Sequence, residues 1–279
     1  MKIQLWREKL DPYAQAVSEL VIKLDNTRTE YRRKGIYCPI ESVSGRVKEI
    51  PSILDKMIRK NISFDTLEAE MEDIAGIRVI CQFIEDIPAA VEIIRKRTDI
   101  EVVQVKDYLN TKKESGYRSF HLVVRYTVNT MEGPKELPVE IQIRTMAMDT
   151  WATSEHFLQY KYKGGLPANV REKMAALSRA TDQLDEEMMN VRRDIMDAEI
   201  NSLLEINLVR DIVTEIENLY RVQNEREAMK IQNEFYRIYK LHDMNELQRF
   251  HDELDILSED NRSQTVNFDS EPRKFEWHV

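Results

Sequence analysis

The stretch FHLVVRYTVNTMEGPKELPVEIQIRT, residues 120–145, contains the two segments that decide the fold. The segments FHLVVRYTV (120–128) and ELPVEIQIRT (136–145) are rich in β-branched residues and alternate in polarity, which predicts two β-strands. The sequence EGP at 132–134 is typical of a turn. We therefore expect neighbouring strands that each have an apolar face and a polar face.

Further strands and helices alternate on both sides of this stretch. The segments GIRVICQF (76–83) and IEVVQVKDY (100–108) predict two more strands from their β-branched residues. Apolar residues spaced three and four apart, together with start signals such as Asp86, predict helices over 5–32, 53–60, 86–97, 146–160 and 167–197. The pattern predicts the fold class α/β (α+β), with a mixed sheet flanked by helices.

The chain changes character after about Ala198. Helical periodicity continues over 203–220, 227–241 and 244–257, and there is no strand signal. We expect a domain over residues 1–200, an all-helical extension of unknown role over 201–257, and a polar, disordered tail over 258–279. The extension contains two His-Asp pairs, at 242–243 and 251–252, which we do not expect to form a metal site because further ligands on a large helical domain would be needed.

Composition narrows the class of protein. The chain has 279 residues, of which 42% are hydrophobic and 33% charged, and this balance supports a soluble globular core. The net charge of −9 argues against a general polyanion binder, so any basic patch must be local. No apolar run approaches the ~18–20 residues that span a bilayer. With Cys38 and Cys81 as the only cysteines, and charges where a signal peptide is apolar, we expect a cytoplasmic protein without membrane contact.

The last predicted strand presents a polar row. Its period of two places Val139, Ile141 and Ile143 on one face, and puts a carboxylate, an amide and a guanidinium on the other. The polar row consists of Glu140, Gln142 and Arg144. Such a row is a suitable wall for a binding site, although an ordinary solvated strand face has the same pattern.

A second carboxylate, Asp73, stands at the entrance to the strand predicted over 76–83, and Arg78 lies within that strand. Asp in this position is a good magnesium ligand and also a common turn residue. The magnesium interpretation of Asp73 is stronger when Glu140 on a neighbouring strand is considered with it, because one or two carboxylates plus substrate phosphates are enough to hold magnesium.

A basic cluster precedes Asp73. Arg46 and Lys48 share one side if their segment is extended, and the helix that follows can carry Lys56, Arg59 and Lys60 on one face. A solvated basic face would explain the run as well. However, the chain contains no G-x-x-x-x-G-K-[ST] loop, so phosphates would have to be bound by Arg and Lys side chains.

The segment KKESGYRSFH, residues 112–121, adds an aromatic residue and a histidine. Tyr117 is placed to stack on a base, and His121 faces away from Phe120 and Leu122. Lys112, Lys113 and Arg118 could neutralise phosphate. The alternative is a hairpin shoulder with incidental polar residues.

Four of these motifs in this order resemble the synthetase domain of the RelA/SpoT superfamily. They are GRVK (45–48), DIAGIRV (73–79), KESGYRSFH (113–121) and VEIQIRT (139–145). The short chain resembles the small alarmone synthetases of the RelQ type. The resemblance covers about residues 1–200 and implies a nucleotidyltransferase-like fold. It implies a GTP pyrophosphokinase that transfers the β,γ-pyrophosphate of ATP to the 3′-hydroxyl of GDP or GTP, with release of AMP.

The resemblance also implies roles for individual residues. Asp73 and Glu140 would be the catalytic pair and would bind Mg²⁺, and Glu140 would also take the 3′-hydroxyl proton. The residues implied to bind ATP are Arg46, Lys48, Lys56, Arg59 and Arg78. The residues implied to bind GDP or GTP are Lys106, Lys113, Tyr117, His121, Gln142 and Asp149. RelQ-type chains carry Asn where this chain has Asp149, and an Asp there could still accept from the guanine N1 and N2 donors.

The resemblance further implies a homo-oligomer, a tetramer, with single-stranded RNA as a regulator. Two other functions stay open at this point. One is a toxic relative that places pyrophosphate on the 3′ end of tRNA, which would need a basic docking patch outside the site. The other is a non-catalytic RNA-binding module built on a degenerate synthetase fold, against which the retention of Arg46, Asp73, Tyr117 and Glu140 argues.

Overall fold

The computed structural model of the protein describes residues 3–111, 115–161, 167–222, 225–241 and 243–268. The strands are β1 Ser42–Val47, β2 Ala75–Cys81, β3 Ile100–Asp107, β4 Phe120–Thr130 and β5 Gly133–Thr145. The helices are α1 Ile3–Arg33, α2 Ile50–Lys60, α3 Leu67–Glu70, α4 Asp86–Arg95, α5 Met146–Lys161, α6 Ala168–Val222, α7 Glu225–Tyr239 and α8 Met244–Phe268. The chain divides into two compact units, Met1–Val191 and Arg192–Val279.

The first unit contains a five-stranded sheet in the order β1-β2-β5-β4-β3. Strands β2 and β5 pair in parallel, and the other neighbouring strands are antiparallel. The expected mixed sheet flanked by helices is therefore confirmed. Strand β5 lies at the centre, which places the polar row of residues 140–144 in the middle of one face.

Strand β1 was not among the predicted strands. Its sequence SVSGRV has only two apolar residues, so the alternation that marks the other strands is weak. It forms one edge of the sheet and pairs antiparallel with β2, with Arg46 opposite Gly76. The segment of Arg46 is therefore extended, as the basic cluster requires if it is to face one site.

The core of the first unit lies between the sheet and α1. Tyr13, Leu20 and Leu24 of α1 are fully buried, as are Val139 and Ile141 of β5. Burial of each aliphatic side chain of this size contributes about 1.5–3 kcal/mol. The apolar face of the sheet is thus used by the core, and the opposite face of the central strands is left for polar side chains.

Gly45 lets β1 approach α1. A Cβ atom at this position would lie 2.7 Å from Val17 Cγ1 and 2.9 Å from both Ile77 Cδ1 and Val21 Cγ2. We expect Gly45→Ala to lower the free energy of unfolding by about 1–3 kcal/mol, because overpacking a filled core forces neighbours to shift. Urea denaturation checks this, with Ser44→Ala on the same strand as the control. Equal unfolding free energies for Gly45→Ala and wild type would contradict the packing described here.

Asp99 joins α1 to the segment before β3. Its carboxylate accepts from Lys23 Nζ at 2.8 Å and from Arg97 Nε and Nη2, both at 2.8 Å. The Arg97 hydrogen bonds, against the opposing effect of burial and with help from Lys23, lower the pKa of Asp99 to about 2.

Because the pKa of Asp99 is lower in the folded chain than its ordinary value of 3.8, its contribution to stability is complete above that value and disappears as the pH falls toward about 2. We expect Asp99→Asn to be less stable than wild type at pH 6 and the difference to shrink below pH 4. Urea denaturation at several pH values measures this, with Asp65→Asn as the exposed control. A difference that is constant with pH would contradict the assignment.

The secondary-structure elements of the second unit that the structure describes are all helices. Apolar side chains of α6, α7 and α8 form its own core, which includes Ile212, Ile216, Phe235, Leu247 and Leu254. Helix α6 runs without interruption for 55 residues, where the sequence predicts separate helices over 167–197 and 203–220. Helix α8 continues to Phe268, past residue 258 where a disordered tail is expected to begin.

His251 of the second unit lies near two carboxylates. Its Nε2 atom is 3.7 Å from Glu215 Oε1, and a set of ligand atoms from Glu215, His251 and Asp255 lies within 4.8 Å. His242 lies outside the described residues.

Within the described ranges, every helix is too short or too polar to cross a membrane.

Candidate active site

The register of the sheet collects the predicted polar residues on one face. Arg78 of β2 stands opposite Gln142 of β5, Gln142 opposite His121 of β4, and His121 opposite Lys106 of β3. In the adjacent row, Glu140 stands opposite Gly76. Arg78, Gln142, His121 and Lys106 therefore form one row across the sheet, and Glu140 lies in the adjacent row.

Asp73 lies directly before β2 and is held by two lysines. Lys48 Nζ donates to Asp73 Oδ2 at 2.8 Å, and Lys56 Nζ lies 2.7 Å from Asp73 Oδ1. Burial alone would raise the pKa of Asp73, but the hydrogen bonds and charges of Lys48 and Lys56 outweigh it and leave the pKa below its ordinary value. Asp73 is therefore an ionised carboxylate at neutral pH, surrounded by cations that suit phosphate groups.

Glu140 is the second carboxylate of the site. Gln142 Nε2 donates to Glu140 Oε2 at 2.7 Å, and His121 Nδ1 lies 3.1 Å from Glu140 Oε1. Burial raises the pKa of Glu140, but the contacts with His121 and Gln142 lower it below its ordinary value. The charge of Asp73 acts on the pKa of Glu140 in the opposite direction, so the two carboxylates are close enough to interact electrostatically.

Two hydrogen-bond chains lead from Arg144 to Glu140. In the first, Arg144 Nη2 donates to the Tyr117 hydroxyl at 3.1 Å, and that hydroxyl lies 2.9 Å from His121 Nε2. If Nε2 of His121 accepts from that hydroxyl, Nδ1 carries the hydrogen that is donated to Glu140. In the second, Arg144 donates to Gln142 Oε1, and Gln142 donates to Glu140. Both chains fix the carboxylate of Glu140 in its ionised form.

Arg144 was not among the predicted binding residues, although the sequence places it in the same polar row as Glu140 and Gln142. Its side chain is only 3% exposed, and a third contact joins Arg144 Nη1 to Asp149 Oδ1 at 3.2 Å. A buried guanidinium needs several acceptors, and strand periodicity does not reveal them.

Asp149 connects the two predicted nucleotide sites. Arg78 is predicted to bind ATP, and its Nε atom lies 3.1 Å from Asp149 Oδ1. Asp149 itself is predicted to bind the acceptor. Arg144 contacts the same oxygen. The carboxylate is therefore held between two guanidinium groups at the start of α5.

Lys106 stands at the acceptor end of the row. Its Nζ donates to Glu72 Oε2 at 2.6 Å. Burial would lower the pKa of Lys106, but the Glu72 hydrogen bond and the charges of Glu72 and Glu140 raise it above its ordinary value. Lys106 is thus a charged ammonium group close to Glu140.

Two of the predicted ATP ligands lie more openly. Arg46 is exposed on β1, and Arg59 is an exposed residue of α2 whose Nε donates to Asp55 at 3.0 Å. The structure therefore brings Lys48 and Lys56 to Asp73 but leaves Arg59 paired within its own helix. Lys113, predicted to bind the acceptor, lies outside the described residues.

His156 of α5 was missed at the sequence level. Burial, followed by the charges of Arg46, Lys48 and Arg78, lowers the pKa of His156. The histidine therefore lies within electrostatic reach of the cations of the predicted ATP site, and at neutral pH it adds no positive charge to them. A lone histidine in a helix gives no sequence signal for this position.

A family model matches the part of the chain that contains this face. Residues 45–165 match the region found in RelA/SpoT proteins. The matched range contains the whole of the two polar rows, Asp73 and the lysines that hold it.

Two relatives and one solved structure are similar to this chain over 68–70% of its length. The GTP pyrophosphokinase YjbM of Bacillus subtilis is 48% identical over 194 residues, which are 70% of this chain and 92% of that protein. The GTP pyrophosphokinase YwaC of the same organism is 36% identical over 192 residues, 68% of this chain and 91% of that protein. The crystal structure of the small alarmone synthetase 1 from B. subtilis bound to its product pppGpp matches with a TM-score of 0.67 and 48% identity, over 69% of this chain and 98% of that one.

Proposed function

The chain belongs to the RelA/SpoT family of GTP pyrophosphokinases, and from this premise we propose that it is a small alarmone synthetase. It transfers the β,γ-pyrophosphate of ATP to the 3′-hydroxyl of GDP or GTP, releases AMP and forms ppGpp or pppGpp. The observation that carries the proposal is the ionised Glu140, held by His121 and Gln142 beside Asp73 and its two lysines.

Asp73 and Glu140 fit a divalent cation, which we propose to be Mg²⁺. Both carboxylates have lowered pKa values and interact electrostatically, and hard oxygen donors of this kind suit magnesium that is shared with substrate phosphates. When bound, the ion would neutralise charge on the transferred pyrophosphate. Asp73 already contacts Lys48 and Lys56, so its carboxylate is oriented before substrate arrives.

The donor nucleotide belongs to the side of the sheet formed by β1, α2 and β2. Arg46, Lys48, Lys56, Arg59 and Arg78 are proposed to bind the phosphates of ATP. The side chains of Lys48 and Lys56 are 25% and 19% exposed, so they reach solvent and can exchange part of their contact with Asp73 for phosphate oxygens. Phosphoryl-type transfer depends mainly on such positioning and charge neutralisation.

Glu140 is proposed to accept the proton of the 3′-hydroxyl. Its lowered pKa means that it carries no proton at neutral pH and can take one from the attacking hydroxyl. His121 and Gln142 orient the two carboxylate oxygens and leave the acid in a fixed position. Proton removal then coincides with attack on the β-phosphorus and departure of AMP.

The acceptor belongs to the side formed by β3, β4 and the loop before β4. Tyr117 is proposed to stack on guanine, and Lys106 and Lys113 to bind the 5′-phosphates. Gln142, His121 and Asp149 complete the acceptor pocket. Tyr117 has its hydroxyl fixed by His121 and Arg144, which gives the ring one orientation.

Two further proposals rest on the resemblance to RelQ-type enzymes, namely a homotetrameric assembly and single-stranded RNA as a regulator. A cytoplasmic location is proposed because the chain has only two cysteines, Cys38 and Cys81, which are too few for a disulfide framework.

The proposal is tested by an acceptor panel. Purified protein is incubated with Mg²⁺, γ-labelled ATP and, in separate reactions, GDP, GTP, GMP or deacylated tRNA. We expect label on GDP or GTP and none on tRNA. Label on tRNA alone would move the protein to the toxic class, and single-stranded RNA binding without any transfer would favour the binding module.

A further inference from the structure

The loop that carries Tyr117 lies directly against helix α6. Ser178 Oγ of α6 donates to the Gly116 carbonyl oxygen at 2.7 Å. A Cβ atom at Gly116 would lie 2.4 Å from that same Ser178 Oγ, and Gly116 has a φ of +85°. Only glycine allows both the backbone conformation and the close approach, so Gly116, the residue before Tyr117, packs directly against α6.

The residue after Tyr117 is held by two carboxylates of the same helix. Arg118 Nη1 donates to Asp182 Oδ1 at 2.7 Å and lies 3.8 Å from Asp185 Oδ2. The Arg118 side chain is 11% exposed and that of Asp185 is 6% exposed. A buried guanidinium held by two acids has a defined position, because leaving either charge unpaired there is costly.

Asp185 also reaches the end of the central strand. Thr145 Oγ1 donates to Asp185 Oδ2 at 3.0 Å, and the Met148 amide donates to Thr145 Oγ1 at 3.1 Å. Thr145 directly follows Arg144, from which both hydrogen-bond chains to Glu140 start. The acids of α6 therefore contact the acceptor loop on one side and the end of β5 on the other.

An apolar contact completes this arrangement. Trp151 Nε1 of α5 donates to the Met174 carbonyl oxygen of α6 at 3.1 Å, and the ring centroids of Trp151 and Tyr117 are 6.5 Å apart. Trp151 and Met174 are buried together with Tyr117 packed against them. The ring of Tyr117 therefore packs against residues of α5 and α6.

We propose that Asp182 and Asp185 are positioning residues for the acceptor nucleotide, acting through Arg118 on the ring of Tyr117. This inference rests on the proposed function of the site. The two acids do not touch the reacting atoms. They hold the loop in its binding conformation before GDP or GTP arrives, so that less ordering is needed on binding.

The contacts of α6 predict an effect on one substrate only. Three residues of α6 contact the acceptor loop and the end of β5: Ser178 contacts Gly116, Asp182 contacts Arg118, and Asp185 contacts Thr145. The proposed ATP residues lie elsewhere, with Arg46 on β1, Lys48 just after β1 and Lys56 on α2. Loosening the loop should therefore weaken acceptor binding and leave donor binding unchanged. A merely structural role would affect both substrates together.

The test uses Asp182→Asn, which keeps the shape of the side chain and removes its charge. Because Asp182 is partly exposed, we expect the loss of its charged hydrogen bond to Arg118 to raise KM for GDP by about tenfold, with KM for ATP within about twofold of wild type. Asp182→Glu should recover part of the loss, and Glu186→Gln, an exposed acid of the same helix, should behave as wild type.

Binding is measured separately, by the fluorescence of a labelled GDP analogue, so that the result does not depend on catalysis. If Asp182→Asn binds the analogue more weakly at an unchanged melting temperature, the positioning role is supported. This holds even if the wild-type protein does not transfer pyrophosphate, a result that would refute the proposed function alone. Equal changes in KM for ATP and GDP, or no change in either, would overturn the inference. If Asp182→Asn does not fold, Ser178→Ala provides the same readout, and an acceptor KM equal to that of wild type would then overturn it.

Discussion

Glu140→Gln is expected to lower the rate of pyrophosphate transfer by about 10³-fold, because loss of a general base typically costs 10²–10⁴-fold. The amide has the size of the carboxylate but cannot accept the 3′-hydroxyl proton or offer a charged ligand to Mg²⁺. The amide keeps one oxygen, so one of the two donors, His121 and Gln142, keeps its acceptor and the other meets an NH2 group. Because a single hydrogen bond is lost and the volume is unchanged, the fold should be kept. The measurement is the rate of AMP release with saturating ATP, GDP and Mg²⁺.

The matched control for this variant is Glu136→Gln on the same strand. Glu136 has the same parity as Glu140, but its side chain is 53% exposed and pairs with Arg125 on β4. Glu136→Gln should keep a rate within twofold of wild type. A Glu140→Gln protein that retains more than a tenth of the wild-type rate would remove Glu140 from the role of base.

Asp73→Asn is expected to lower the rate by about 10²-fold or more and to raise the Mg²⁺ concentration needed for half-maximal rate, because a metal ligand is lost. The substitution also removes the charge that Lys48 and Lys56 contact. Those lysines would then be free to bind phosphate more tightly, so KM for ATP should not rise. This combination separates loss of metal from loss of the ATP site.

The experiment is a Mg²⁺ titration of the initial rate for wild type, Asp73→Asn and Asp55→Asn. Asp55 is an exposed acid of α2 that pairs with Arg59, and its replacement should leave the titration unchanged. An Asp73→Asn titration curve with the midpoint of wild type would show that Asp73 does not hold the ion.

The central part of the site follows from the sequence because it depends on strand periodicity. The alternation in VEIQIRT places Glu140 and Gln142 on the face opposite Val139 and Ile141, and the register of β2, β4 and β5 agrees. The same reasoning fails for β1, because two serines and a glycine dilute its alternation. Periodicity predicts which face a residue occupies, but only where apolar residues mark the other face.

Contacts between segments distant in sequence could not be predicted in this way. Arg118 and Asp182 are separated by 64 positions, and no local pattern distinguishes Asp182 from the other acids of a charged helix. The same holds for the three acceptors around Arg144 and for the cations near His156. The sequence predicts separate helices over 167–197 and 203–220, and the structure joins them in one helix, α6.

The measurement that tests the central claim most directly follows two labels of ATP with three acceptors. Protein is incubated with Mg²⁺ and either α-labelled or γ-labelled ATP, together with GDP, 2′-deoxy-GDP or 3′-deoxy-GDP. A pyrophosphate transfer to the 3′-hydroxyl predicts the γ-label on the guanosine product, the α-label in AMP alone, and no product from 3′-deoxy-GDP. Release of the γ-label as inorganic phosphate or pyrophosphate with every acceptor, or labelling of 3′-deoxy-GDP, would contradict the account.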